Sequence, residues 1–339
     1  MILRSELARR LEGQLVGADG IVAALRDPAE ATPNDVTCVL RDKYLSAALE
    51  SRAGLLVLNG STALERDHIR VTDIERAWLT LLETFSPRLE RTGIHPSAVI
   101  HPEAVIEPDV HIGALVTVAR GARIGRGSVI GALSSIGENA VIGVNCQLYE
   151  RVTVRHHCTL GARCLIQSGA VIGEDGFGFH RDADAHHTRQ AQIGTVEIAD
   201  DVEIGSNSVI DRGTVTATTI GARTKLGPMC VIAHNSKVGA DVLMIGAVQL
   251  AGSMDIRDRV VLWGQVGSIG HLTIGEGAVV TAQSGISKDV PPGATWRGAP
   301  AQDIKKQLRL EARFMALEEM EARLKALERA ISAQRSETL

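Results

Sequence analysis

The chain has 339 residues, a net charge of −4 and 45% hydrophobic residues, which indicates a folded protein with a sizeable core. The charge argues against nucleic-acid binding, and no apolar run is long enough to predict a membrane span. Residues 1–20 carry charge where a signal peptide would be apolar, so we expect no leader. Five cysteines without a CxxC pair predict reduced thiols in the cytoplasm.

Residues 1–92 show no repeat and predict a small α/β domain. LRSELARRLEG and ERAWLTLLETF have the spacing of amphipathic helices, and AGLLVLNG has the composition of a buried strand. Between them, DVTCVLRDKYLSAAL (residues 35–49) predicts a strand followed by the start of a helix.

A period of six residues begins at Ile94. An aliphatic residue occupies every sixth position up to Ile172, and a small or β-branched residue follows four positions later. No helix has this period, whereas short strands joined by tight turns do, so residues 93–300 predict a parallel β-helix. Cys146, Cys158 and Cys164 fall in the slot for small residues, which favours packing over redox chemistry.

The period is broken twice. It is lost between Glu174 and Gln192, and it shifts again between Ile210 and Ile220. We expect residues 174–192 to be an inserted loop on one face that closes over a substrate. The three histidines of this segment lack spaced cysteines or carboxylates, so we predict no metal site.

Residues 301–339 predict a charged C-terminal helix with a narrow apolar stripe. We expect this stripe to pack against copies of itself or across the β-helix, because it is too narrow to be buried alone. The residues of the stripe are Leu310, Phe314, Leu317, Met320, Leu324, Leu327 and Ile331.

The repeat resembles that of the hexapeptide-repeat acyltransferases. The resemblance implies a left-handed β-helix with three hexapeptides per coil, so that residues 18 apart stack. His234, in VIAHNSKVG, would then lie beside Gly252, with His271 two coils and one residue further on. This alignment leaves two readings open for His234, a surface histidine and a catalytic one.

The whole layout is similar to the UDP-3-O-acylglucosamine N-acyltransferases of lipid A biosynthesis. The similarity rests on the small α/β domain, the insertion with DGFGF, and then IDRG, IAHN, GQVGSIGH and the terminal helix. It implies transfer of a 3-hydroxyacyl chain from acyl carrier protein to the 2-amine of a UDP-linked glucosamine. It also implies a homotrimer with sites between subunits, no bound cofactor or metal, and an acyl-phosphopantetheine donor supplied by the carrier.

The resemblance implies roles for particular residues. His234 would be the general base, the backbone N–H of Gly252 would stabilise the oxyanion, and Asn235 would orient the base or the substrate. A structural role for His271 stays open, as does a merely solvated face for the basic residues of the terminal helix. Substrate-binding residues would be Arg41, Lys43, Tyr44, Asp175, Phe177, Gln192 and His271, and carrier-docking residues Lys305, Lys306, Arg309 and Arg313.

Two departures from the family pattern concern the acceptor. Cys38 and Arg41 stand where an aromatic residue and an asparagine are usual in a uridine-binding domain, and Gly227-Pro228 replaces an Asp-Asn pair. They motivate two alternatives, a paralogue that acylates a different amine and a non-catalytic trimeric scaffold. The length of the acyl chain does not follow from the sequence.

Overall fold

The computed structural model describes residues 1–60, 64–86 and 93–337, without the side chains of residues 330–337. The chain forms two compact units, residues 1–90 and 91–339. The predicted limit at residue 92 and the side chain of Ile331 both lie outside the described residues. None of the described helices is long and apolar enough to cross a membrane.

The N-terminal unit is an α/β fold around a five-stranded sheet. The three central strands are parallel and largely buried, because apolar residues face the core on both sides of the sheet. The helices are Arg4–Arg10 (α1), Leu45–Glu50 (α2) and Ile74–Phe85 (α3), and a single 3₁₀ turn spans Asp42–Tyr44. The strands are Ile2–Leu3, Gln14–Val16, Ile21–Val22, Ala24–Leu25, Asp35–Val39, Leu55–Asn59 and His68–Val71.

The second unit is a parallel β-helix with three sheets along its length. Each sheet collects every third strand, so that Ile112 pairs with Ile130 and Ile130 with Leu148, 18 residues apart. From Ile112 to Ile286 the aliphatic residue of each hexapeptide points inward and is buried, whereas Ile94 is 52% exposed and Ile100 and Ile106 are half-buried. Cys146, Cys158 and Cys164 are buried as well, as predicted. No disulfide links the cysteines within the described part of the chain.

Strand bounds in the β-helix follow the period of six. The first sheet contains Val105–Ile106, Arg123–Ile124, Val141–Ile142, Thr159–Leu160, Thr195–Ile198, Ala217–Ile220, Lys237–Val238, Asp255–Ile256 and Thr273–Ile274. The second contains Gly93–Ile94, His111–Ile112, Val129–Ile130, Gln147–Leu148, Leu165–Ile166, Glu203–Ile204, Lys225–Leu226, Leu243–Met244, Val261–Leu262, Val279–Val280, Thr295–Arg297 and Gln302–Asp303. The third contains Val99–Ile100, Thr117–Val118, Ser135–Ile136, Thr153–Val154, Val171–Glu174, Val209–Asp211, Val231–Ile232, Gln249–Leu250, Gly267–Ser268 and Gly285–Ile286.

The two breaks in the period lie at one corner, where strands of the third sheet end. The insertion leaves after Glu174 and returns at Thr195, and it carries a hairpin of Phe179–Arg181 and His187–Arg189. Four extra residues follow Asp211 before the chain rejoins the first sheet. Across the breaks Ile172 still pairs with Ile210 and Ile210 with Ile232, although a bulge between Ile172 and Glu174 brings Glu174 opposite Asp211.

The C-terminal segment forms two helices where we predicted one, Ile304–Met315 (α4) and Leu317–Glu337 (α5). The break falls at Ala316, whose N–H donates to Arg313 O at 3.1 Å, and no glycine or proline there explains it. The apolar stripe remains exposed along both helices, and Phe314 is 72% exposed. Around the break, side chains including Phe314, Met315 and Met320 line an open apolar cavity of about 1000 Å³.

Candidate active site

His234 lies in the turn after Val231–Ile232, at the corner that carries both breaks in the repeat. Its imidazole is held between two glycines from different parts of the chain. A Cβ on Gly252, one coil further on, would lie 2.6 Å from His234 Cε1, and a Cβ on Gly176 of the insertion would lie 2.8 Å from His234 Cδ2. Any side chain at either position would therefore displace the ring.

Asn235 determines which nitrogen of His234 carries the proton. Asn235 Oδ1 accepts from the backbone N–H of Thr214 at 3.1 Å, and Asn235 Nδ2 donates to Thr216 Oγ1 at 3.2 Å, so the orientation of the amide is fixed. Asn235 Oδ1 also lies 3.0 Å from His234 Nδ1. Because this oxygen can only accept, we assign the proton to Nδ1, which leaves the lone pair of Nε2 free to act as a base.

A chain of polar contacts links this pair to the insertion. Thr214 Oγ1 lies 3.0 Å from Asn235 Oδ1 and 2.9 Å from Gln192 Oε1. Gln192 is buried at the return end of the insertion. The sequence analysis did not find Thr214 or Thr216, although both lie between Asp211 and the next strand, which begins at Ala217, and the shift of phase there was the available signal.

Gly252 presents a bare backbone beside the imidazole. Its carbonyl accepts from His271 N at 3.1 Å, and its N–H has no intramolecular acceptor among the described residues. The equivalent backbone N–H groups of other turns also lack an acceptor. Gly252 differs from them because it has no side chain and lies beside the His234 imidazole. Gly270, one coil further, also has no side chain. A Cβ at this position would lie 2.7 Å from Gly252 O, so a larger residue would not fit without a shift. His271 is exposed and occupies the turn position of Asn235, with φ of 60° and 62° respectively.

Arg212 fastens the insertion to the β-helix. Its side chain is 1% exposed, and Nε and Nη1 donate to the carbonyls of Gly173 and Gly194, at the two ends of the insertion, at 2.9 and 3.3 Å. Nη1 also donates to His156 Nε2 at 2.6 Å. Burial, then the charge of Arg212, lowers the pKa of His156, which favours the neutral ring that accepts this bond, although the residue is largely exposed.

Three carboxylates meet beneath the insertion. Arg155 pairs with Glu174 at 3.0 Å, and Asp175 pairs with Arg189 at 2.8 Å and lies 3.7 Å from Arg212. Asp211 is 7% exposed and forms no ion pair among the described residues. Burial raises the pKa of Asp211 to about 6, with the charges of Glu174 and Asp175 acting in the same direction and His234 against them. Asp211 is the aspartate of the IDRG motif, to which the sequence alone assigned no role.

The other predicted substrate residues lie on the insertion and in the N-terminal unit. Phe177 is 88% exposed and contacts Phe179 edge-to-face at 4.9 Å between centroids, on the outside of the insertion. In the N-terminal unit, Cys38 and Tyr44 line a cavity of about 970 Å³ together with Trp78, Arg26 and Arg52. Lys43 Nζ lies 4.8 Å from the centre of the Tyr44 ring, and Arg41 is exposed. Burial raises the pKa of Cys38 to about 12, which keeps this thiol protonated.

The remaining candidates are on the terminal helix and at a second corner. Lys305, Lys306, Arg309 and Arg313 are all exposed on α4, and none of them pairs with a carboxylate of the described chain. Gly227 approaches the next coil so closely that a Cβ would lie 2.7 Å from Gly246 N, which excludes an aspartate there without a shift of the backbone. Among the described residues, no group of three or more His, Cys, Asp or Glu side chains could hold a metal ion.

Comparison with known proteins agrees with this fold. Residues 89–175 match a family model described as the GMPPB C-terminal domain. A structure of an Arabidopsis UDP-N-acetylglucosamine acyltransferase superposes with a TM-score of 0.57 and 26% identity, over 62% of this chain and 73% of that one. The parallel β-helix and this likeness place the chain in the class of hexapeptide-repeat acyltransferases. The predicted fold, a left-handed parallel β-helix with an α/β domain and a terminal helix, is confirmed.

Two relatives in sequence identify the family within this class. A Methylobacterium nodulans UDP-3-O-acylglucosamine N-acyltransferase is 47% identical over 153 residues, and the match spans less than half of either protein, 45% of this chain and 43% of that one. A Methylococcus capsulatus protein of the same name is 36% identical over 327 residues, 94% of this chain and 92% of that one. The chain belongs to the UDP-3-O-acylglucosamine N-acyltransferase family.

Proposed function

We propose that the protein transfers a 3-hydroxyacyl chain from acyl carrier protein to the 2-amine of UDP-3-O-(3-hydroxyacyl)glucosamine, a step of lipid A biosynthesis. The observation that supports this most is His234, whose Nδ1 is held by Asn235 and whose ring lies against Gly252. Membership of the family supports the choice of substrates. The proposed setting is the cytoplasm, where buried thiols stay reduced.

The chemistry needs a base and a stabilised oxyanion. The amine attacks the thioester carbonyl, and His234 Nε2 takes a proton from the attacking nitrogen. The negative charge that develops on the carbonyl oxygen is stabilised by the N–H of Gly252. When the intermediate collapses, the protonated imidazole returns its proton to the departing thiolate of the carrier's phosphopantetheine arm. No resident cofactor takes part in this sequence.

Binding of the acceptor is assigned to both units. Tyr44 offers one ring face to a uracil base, since Lys43 lies against the other, and Lys43 and Arg41 supply cations for the diphosphate. Asp175, Phe177, Gln192 and His271 are assigned to the glucosamine and its acyl chain. The site is completed in a homotrimer. Lys305, Lys306, Arg309 and Arg313 bind the acidic carrier, because they are exposed cations without carboxylate partners in the described chain.

The test is transfer from 3-hydroxyacyl carrier protein to UDP-3-O-acylglucosamine, followed by mass spectrometry of the product. We expect turnover by the wild type and a loss on the order of 10²- to 10⁴-fold in His234→Ala, because a positioned general base contributes that much. His95→Ala is the control for an exposed turn histidine without an assigned role, and it should leave turnover unchanged. Wild-type protein that binds the carrier and transfers nothing would contradict the proposed acceptor.

A second candidate is transfer to another amine-bearing nucleotide sugar. Cys38 and Arg41 favour it, because they replace an aromatic face and an amide that could read uracil, and Gly227 leaves no room for a carboxylate. Wild-type protein with carrier binding but no transfer to the glucosamine acceptor should then be screened against other amino sugars. A protein that neither binds the carrier nor transfers would leave a scaffold role.

A further inference from the structure

Asp211 has an environment that the proposed mechanism does not use. It ends the third-sheet strand Val209–Asp211, and the register places it opposite Glu174 on one side and next to Ala233 on the other. Ala233 directly precedes His234. Since Ile210 points into the core, the side chain of Asp211 points outward, to the corner that holds the imidazole.

The surrounding charges leave Asp211 without a partner. Arg155 pairs with Glu174, and Arg189 pairs with Asp175, to which Arg155 and Arg212 are also close, at 3.8 and 3.7 Å. Arg212 directs its guanidinium to the carbonyls of Gly173 and Gly194 instead. Asp211 is 7% exposed and forms no hydrogen bond or ion pair with the described residues, so its carboxylate remains open at this corner to solvent and to a cation that binds there.

An amine acceptor presents two protons that must leave before an amide is formed. A glucosamine amine is an ammonium ion for part of the time near neutral pH, and His234 Nε2 has one lone pair. If the imidazole took the first proton, it could not take the second during attack on the thioester. The ammonium form can therefore react directly after binding only if another group, a second proton acceptor next to the base, takes its first proton.

We propose that Asp211 is this second acceptor and that it binds and deprotonates the ammonium form of the acceptor substrate. The proton passes from R–NH₃⁺ to the carboxylate, giving R–NH₂ and a neutral Asp211. The amine then attacks, His234 takes the second proton and gives it to the leaving thiolate, and Asp211 releases its proton to water. A carboxyl whose pKa is raised towards neutrality by burial can both accept and release this proton. The proposal rests on the acyl transfer proposed above.

The experiment compares wild type with Asp211→Asn, which keeps the size and removes the acceptor. With 3-hydroxyacyl carrier protein at a saturating concentration as the donor, kcat/KM for the glucosamine acceptor is measured as a function of pH. We expect a loss on the order of 10²-fold at neutral pH. The loss should shrink above the pKa of the acceptor amine, because the substrate then arrives already neutral. Asp211→Glu should restore part of the activity, and Asp241→Asn, in an exposed pair with Arg223, should leave the profile unchanged.

The shape of the profile separates this role from a structural one. Glu174, Asp175, His234, Arg155 and Arg212 are the charged groups around Asp211, and they are the same in both proteins. A loss that is equal at all pH values, or no loss, would overturn the proposal while the acyl transfer stands. Absence of turnover in the wild type would overturn both. Infrared difference spectra of wild type minus Asp211→Asn should also show a protonated carboxyl that titrates near pH 6, and a carboxyl that stays ionised well below that pH would count against it.

Discussion

The regular half of the β-helix, residues 99–172, and the interrupted stretch of residues 173–238 differ in what they bury. In the regular half, buried polar groups such as Ser128 and Ser134 bond to backbone atoms of the neighbouring coil. In the interrupted stretch, Gln192, Asp211 and Arg212 are buried at a single corner. Each coil contacts only its neighbours, so extra residues at a corner leave the register on both sides intact. The buried charged and amide groups of the proposed site are thus gathered where the repeat is broken.

The largest expected effect of breaking this arrangement is that of Gly252→Ala. The added methyl group would lie 2.6 to 3.0 Å from three atoms of the His234 ring, so the base must move away from the oxyanion site. We expect kcat to fall on the order of 10²- to 10³-fold, as for loss of an oxyanion donor. The matched control is Gly267→Ala, in a regular coil, where the nearest atom to the new Cβ is Gln249 O at 3.9 Å. Equal activity of the two variants would show that Gly252 has no special role.

The second-largest expected effect is the loss of stability in Arg212→Met. Without the guanidinium, the buried carbonyls of Gly173 and Gly194 have no side-chain donor, and we expect the free energy of unfolding to drop by about 3 kcal/mol. The matched control is Arg223→Met, which removes an exposed arginine paired with Asp241. This control should unfold at the wild-type urea concentration. If Arg212→Met also unfolds there, the guanidinium does not fasten the insertion.

The sequence was sufficient to predict the strands and their stacking wherever the period of six residues was maintained. The six-residue spacing predicted the strands of the regular half, and stacking by 18 residues placed Gly252 beside His234, where the structure has it. Gly176 and Thr214 could not be placed in this way, because the path of an insertion has no period to count. Asp211 directly follows the periodic Ile210, but the spacing does not show which charges surround it. The break at Ala316 was also missed, since an amphipathic pattern continues across it and no residue there disfavours a helix.

Asp211→Asn should stabilise the protein at neutral pH, which is the reverse of its expected effect on activity. The folded-state pKa of about 6 lies above the unfolded value of 3.8, so the folded state binds more protons between these values and stability falls as pH rises through them. At pH 7 the ionised, desolvated carboxylate costs on the order of 2 kcal/mol, which the amide avoids. Urea unfolding should therefore show a gain at pH 7 that disappears below pH 4. A gain that is the same at both pH values would mean that ionisation is not its cause.

The smallest predicted effect is that of Thr214→Val, and it tests the contact between the two breaks. The substitution keeps the backbone N–H that orients Asn235 and removes the hydroxyl that lies between Asn235 and Gln192. Loss of one such hydrogen bond is worth about 1 kcal/mol, so kcat should fall roughly five- to tenfold with KM unchanged, and Thr214→Ser should restore it.

Thr224→Val is the matched control for this last change, because Thr224 also bonds across coils, donating to Gly239 O and accepting from Val242 N. It lies in a regular turn, so its loss should lower the melting temperature without changing kcat. If both valine variants only lower the melting temperature, the Thr214 hydroxyl has a structural role like that of Thr224. If only Thr214→Val lowers kcat, the hydroxyl couples the insertion to His234 through Asn235, and the extra residues after Asp211 supply this contact.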